Sequence, residues 1–133
     1  MKLITRDTDY ALRAICFIAK NKGKIVSVSE IEQELKIPRP FLRKILQILN
    51  KKKILISYKG IGGGFTLVDS FKGITLIDLM RAFQGPLHIN ECLFKKAKCP
   101  NTKKCPIRKK IKNIEQYVLK ELGSVTLYSL VAK

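Results

Sequence analysis

The segment SVSEIEQELKIPRPFLRKILQILNKKKILISYKGIGGGFTLV, residues 27–68, decides the fold. It opens with Ser27-Val28-Ser29-Glu30, a capping-box pattern that satisfies the free amides at a helix start. A short helix follows, with Val28, Ile31 and Leu35 on one side. Ile37 and Pro38 end that run. Pro38 or Pro40 suits the first turn of a further helix reaching Asn50, because proline in a first turn forfeits no helical hydrogen bond. In that helix Phe41, Leu42, Ile45, Leu46 and Leu49 are expected to face inwards, and Arg39, Arg43, Lys44 and Gln47 outwards. Residues 54–59 read as a strand, Gly60-Ile61-Gly62-Gly63-Gly64 as a tight turn, and residues 65–68 as the returning strand.

Two short helices joined by a tight turn, the second basic on its outer face, describe a helix-turn-helix whose second helix can lie in a DNA major groove. A β-hairpin directly after it is a wing. The DNA-facing set expected from this layout is Ser27, Arg39, Pro40, Arg43, Lys44 and Gln47, with Lys59, Gly62 and Gly63 in the wing. Glycine lets backbone approach a phosphate closely, and Lys59 can reach a phosphate or the minor-groove edge. A nucleotide-binding phosphate loop would need a Gly-Lys-Ser/Thr ending, which does not follow this glycine run.

Outward from this segment, Asp7 or Thr8 can cap a first helix whose apolar face holds Tyr10, Ala14, Ile15, Phe17 and Ile18, with Gly23 near its end. Thr75-Leu76-Ile77-Asp78 is a second capping box, starting a helix that runs through Met80, Ala82 and Phe83 to Gln84-Gly85-Pro86. Beyond Cys105-Pro106, the residues Ile107, Ile111, Ile114, Val118 and Leu122 recur every three to four positions along a long, otherwise polar helix. Such a narrow stripe seeks either a partner helix in a two-fold dimer or its own domain. Thr126 can cap a last short helix. The fold class expected is mainly α with a small β wing: a winged helix-turn-helix over residues 1–85, a cysteine loop over 86–106, and a dimerisation helix and tail over 107–133.

The chain has 133 residues and a net charge of +17, enough for one core with an extension and far more positive than solubility requires. A polyanion, most often nucleic acid, is the partner class this implies. The bland alternative is a solvated lysine surface, since 21 of the 27 basic residues are lysines. No run of 18 apolar residues suggests a membrane span and no secretory signal is apparent, so the expected location is the cytoplasm. One histidine and ten acids form no acid–base or nucleophile constellation, so an enzyme is not expected.

Cys92, Cys99 and Cys105 are separated by six and five residues, and residues 95–112 hold nine basic residues and no acid. Clustered thiols in so polar a stretch are poor core material, whereas thiolates are the ligands of iron–sulfur clusters and zinc. Structural zinc usually takes two tight Cys-x2-4-Cys knuckles, which are missing here, and wider spacing suits a larger inorganic core. Bare thiols that sense oxidants remain an alternative. Cys16, in an apolar helical run, reads as a packing residue.

The order of parts closely resembles the family of winged-helix repressors that includes the iron–sulfur regulator IscR, the nitric-oxide sensor NsrR and the cysteine-metabolism regulator CymR. The resemblance spans nearly the whole chain. It rests on Thr8-Asp9-Tyr10-Ala11-Leu12-Arg13, on Ile37-Pro38-Arg39-Pro40-Phe41-Leu42-Arg43-Lys44, on Gly60-Ile61-Gly62-Gly63-Gly64-Phe65, on Ile74-Thr75-Leu76, and on the three cysteines followed by a long helix. It implies a homodimeric repressor that binds double-stranded operator DNA and holds an iron–sulfur cluster on Cys92, Cys99 and Cys105. IscR-like proteins place a histidine shortly after the third cysteine, where this chain has Ile107 and Arg108, so [4Fe-4S] is expected over [2Fe-2S]. Asp9 falls where NsrR-like proteins supply a cluster ligand from the other subunit, and His88 is a second candidate. The Cys92 to Cys99 interval is one residue longer than the family pattern, and Arg43 stands where IscR has a glutamate that tunes DNA choice. The alternatives are a cluster-free regulator of this fold, answering to thiol oxidation or a protein partner, and an electron-transfer protein.

Overall fold

The structure is a computed structural model that describes residues 2–89 and 105–131. Helix α1, Arg6–Lys20, is capped by Thr5, whose hydroxyl accepts from the Thr8 amide at 3.5 Å. The cap therefore lies earlier than Asp7 or Thr8. Asp7 and Asp9 fall in the first turn, where carboxylates complement the helix dipole, and Thr8 is sealed in the interior. Its hydroxyl, which must find a partner when buried, donates to Gln84 Oε1 at 2.8 Å. At the other end Asn21 is the C-cap, with Gly23 two residues beyond.

Helix α2, Val28–Leu35, starts at Ser27, whose Oγ accepts from the Glu30 amide at 3.1 Å. Half of the expected box forms, because the Glu30 carboxylate turns to Lys24 Nζ at 3.5 Å. Lys36 closes α2 in the left-handed region, and Pro38 leads into α3, Arg39–Lys51, with Pro40 in its first turn. Leu42, Ile45, Leu46 and Leu49 of α3 are buried as expected. Phe41 is not: it remains 40% exposed, because it lies at the margin of the stripe centred on Leu42 and Leu49, and the Arg6 guanidinium, 4.5 Å from the ring centroid, covers the ring instead.

The wing is an antiparallel pair, β1 Leu55–Tyr58 and β2 Gly64–Leu67, in register from Leu55 opposite Leu67 to Tyr58 opposite Gly64. Val26 adds a bridge to it, exchanging backbone hydrogen bonds with Phe65 at 3.0 and 2.8 Å. The start of α2 is thus tied to the wing. A short 3-10 turn, Asp69–Gly73, leads to α4, Leu76–Gln84, where Thr75 and Asp78 form the complete capping box.

Ala11, Ile15, Ile31, Leu42, Ile45, Leu49, Leu55 and Leu79 share one core. A satellite cluster of Leu76, Ile77, Met80 and Leu87 receives Val118, Leu119 and Leu122 from α5, Pro106–Gly123. The chain then returns through a bridge between Thr75 and Thr126, and the last helix, α6 Leu127–Val131, inserts Leu127 fully into the core. The apolar stripe of α5 consequently divides. Val118 and Leu122 pack on their own domain, while Ile107 and Ile114 stay open to solvent, 69% and 42% exposed.

Candidate nucleic-acid interface and cysteine site

Helix α3 presents Pro40, Arg43, Lys44 and Gln47 to solvent, opposite its buried leucine and isoleucine face. Arg39, the first residue of α3, is held differently. Its Nε donates to Glu32 Oε2 at 2.6 Å and its Nη2 to Ser29 Oγ at 3.0 Å, so it links the two helices of the motif. Ser27 is half-buried, its oxygen occupied by the α2 cap. Lys59 is exposed at the end of the wing, beside Gly60 and Gly62 at φ +90° and +77°.

The turn explains most of its own glycines. At Gly60 and Gly62 the backbone is left-handed with open space around it, which glycine adopts at no steric cost. A Cβ at Gly63 would collide with the Tyr58 carbonyl, and one at Gly64 with the Val26 carbonyl. Ile61 stands fully exposed at the tip. Several features escaped the sequence reading: Ile61, the Glu32 and Ser29 partners of Arg39, and the exposed run Lys51, Lys52 and Lys53 at the C-terminal end of α3. The lysine run was visible as composition. The pairing across the turn required knowing how α2 and α3 cross.

Of the three loop cysteines, Cys92 and Cys99 lie outside the described residues. Cys105 immediately precedes α5, half-buried, with no capping hydrogen bond from its thiol. Asp9 is half-exposed and pairs with Arg13 Nε at 3.1 Å one turn along α1. His88 is exposed, its Nδ1 3.5 Å from Glu115 Oε1 on α5. Among the described residues no three potential metal ligands converge. Cys16 is half-buried in a shallow recess with Leu12, Phe17 and Leu35, and burial pushes its thiol up despite the opposing charge of Lys20.

Gln84 gathers the N-terminal segment: its Oε1 accepts from the Thr5 amide at 3.1 Å and from Thr8, and its Nε2 donates to the Leu3 carbonyl at 2.9 Å. The end of α4, which leads towards the cysteine loop, is thereby fastened to the start of α1. Among the described residues no helix is long and apolar enough to cross a membrane.

A helix-turn-helix with a basic outer face, a glycine-turned wing and a long appended helix defines a winged-helix transcription regulator. The model of the Rrf2 family, described as an iron-dependent transcriptional regulator, matches residues 4–133, and the chain belongs to that family. A protein of Aquifex aeolicus, named as a proposed HTH-type transcriptional regulator, is 39% identical over 90 residues; the match takes in 68% of this chain but only 62% of that relative's length. A proposed rrf2-like regulator of Rhodobacter capsulatus is 27% identical over 98% of this chain and 93% of its own. The solved structure of CymR, the global cysteine regulator of B. subtilis, superposes with TM-score 0.80 at 25% identity over 99% of this chain and 98% of that one. IscR of T. potens shares the fold at TM-score 0.73 and 20% identity, over 99% of this chain and 87% of that one. The named relatives are transcription regulators.

Proposed function

We propose that this protein is a cytoplasmic, homodimeric transcription regulator, acting as a repressor, whose binding to double-stranded operator DNA is controlled by an iron–sulfur cluster. Arg39, Pro40, Arg43, Lys44 and Gln47 are the major-groove set, Ser27 a backbone contact at the start of α2, and Lys59, Gly62 and Gly63 the wing contacts. One observation carries the DNA reading: Arg43, Lys44 and Gln47 stand in solvent on a helix whose other face is sealed in the core, beside a wing tied to the same motif. The dimer reading is supported by Ile107 and Ile114, apolar side chains left in solvent on α5.

Cluster control is supported by the iron-dependent description of the family and by the donor chemistry of the chain. Cys92, Cys99 and Cys105 would hold the cluster, with the partner subunit's Asp9 as fourth ligand, and thiolates are the ligands such clusters require. The donor set favours [4Fe-4S] over [2Fe-2S], since Ile107 and Arg108 stand where a histidine would serve the latter. When bound, the cluster would link these side chains through iron–thiolate bonds, and its loss would break that link. Against a protein charge of +17, a change of about one unit at such a site is too small to govern DNA affinity by field alone. With Asp9 and the cysteines on different subunits, a bound cluster would instead act by setting the spacing of the two recognition helices. A second reading, a cluster-free thiol regulator of the same fold, is supported by the 25% identity to CymR, which is named as a global cysteine regulator.

Protein purified without oxygen should be brown and contain iron and sulfide. Cys92→Ser, Cys99→Ser and Cys105→Ser should each remove the colour, and Cys16→Ser should keep it. Colourless protein with stoichiometric zinc, or with no metal, would sink the cluster half of the reading. The DNA half stands on a separate measurement, enrichment of a preferred duplex from random-sequence DNA.

A further inference from the structure

Among the outward cations of α3, Arg39 alone arrives with its guanidinium already oriented. A guanidinium carries five N–H donors in one plane. The Nε–H and one Nη2–H form one edge of that plane, and Glu32 Oε2 and Ser29 Oγ occupy this edge at 2.6 and 3.0 Å. The end-on edge, made of Nη1–H and the second Nη2–H, has the fork geometry that meets guanine N7 and O6 in the major groove. The Arg39 side chain is 42% exposed and lies one helical turn from the exposed Arg43, within reach of the surface that Arg43 offers to the groove.

The same contacts are poorly suited to holding the fold. Both side chains of the pair are more than one third exposed, and ion pairs so wetted contribute little stability. As an orienting device they fit well, because an arginine fixed before binding loses less rotamer freedom on contact. Glu32 adds a selective effect: a carboxylate beside the DNA-facing surface opposes phosphate everywhere and is tolerated only where Arg39 finds its base.

We infer that Glu32 and Ser29 are positioning residues that hold the end-on edge of Arg39 for two-point recognition of one guanine in each half-site. This rests on the DNA-binding reading above. The test uses the full chain, purified anaerobically, and the duplex it enriches from random-sequence double-stranded DNA. Arg39→Ala should lose the preference for a single guanine by about tenfold while keeping its preferences elsewhere. In that duplex, 7-deazaguanine at the position should weaken wild type and leave Arg39→Ala unaffected. Glu32→Ala should bind random duplex more tightly than wild type, yet discriminate less at that guanine, and Ser29→Ala should share the second effect. Thermal unfolding is followed for each variant. Uniform weakening on all duplexes by Arg39→Ala, with a lowered unfolding temperature, would make Arg39 a mere structural clamp and overturn the inference. Full discrimination by Glu32→Ala would overturn it as well. Failure of wild type to enrich any duplex would instead remove the DNA-binding reading, and the inference with it.

Discussion

A methyl group at Gly64 would strike the Val26 carbonyl, so Gly64→Ala must open the bridge in which Val26 and Phe65 exchange two backbone hydrogen bonds. At about 1 kcal/mol for each bond, the loss is at least about 2 kcal/mol. Gly60→Ala faces open space and pays only for a left-handed backbone, about 1–2 kcal/mol. Urea denaturation followed by circular dichroism should rank the two in that order; equal midpoints would show that the bridge contributes nothing. Gly64 was legible in the sequence as one more wing glycine. Its distinct role was not, because the obstacle is a carbonyl 38 positions away in the chain. Phe41 and Thr8 show the same limit. Helical periodicity assigned Phe41 to the core, but it lies at the margin of the buried stripe of α3, and Thr8 is buried where Gln84 offers its hydroxyl an acceptor.

At the scale of elements, α5 separates two roles that its sequence merges. Val118 packs on the cluster of Leu76, Ile77 and Met80, whereas Ile114, one turn earlier, faces solvent. Ile114→Lys should give a folded monomer, because an unpaired charge is costly between two helices but harmless in water. Val118→Lys should instead lower the unfolding free energy by about 1 kcal/mol, whatever the oligomeric state, since Val118 is partly buried against its own domain and full burial of a valine contributes about 1.5 kcal/mol or more. Sedimentation velocity and thermal melts together decide. A fully dimeric Ile114→Lys would exclude this seam as the interface. The two capping boxes read from sequence also diverge: Thr75 and Asp78 close theirs, while Glu30 leaves Ser27 for Lys24. Both matched the same motif, but the Glu30 carboxylate is engaged by Lys24.

For the whole molecule, a net charge of +17 makes salt the most direct probe of the proposed partner. An interface with roughly 6–10 phosphate contacts should lose about a thousandfold or more in affinity between about 50 and 200 mM salt. Lys59→Ala should weaken all duplexes alike and reduce the slope by about one, as expected of a phosphate contact. Arg43→Ala should cost about 1–3 kcal/mol on the preferred duplex and much less on random DNA. Fluorescence anisotropy across that salt range measures both. An affinity independent of salt would mean that the lysine surface is merely solvated.

Periodicity, caps and turn chemistry by themselves determined the helix-turn-helix, the wing, the order of elements and the division of α3 into a sealed and a basic face, because these are set by neighbours within a few positions. The residues proposed to meet DNA were legible for the same reason: outward positions on an amphipathic helix follow from its inward ones. What only the tertiary structure decided are contacts between segments distant in sequence: the Arg39 edge taken up by Glu32 and Ser29, the Val26 carbonyl over Gly64, the Gln84 anchor of α1, and the point along α5 where its stripe leaves the domain. Each depends on how two elements cross, which packing of the common core sets and local pattern does not encode.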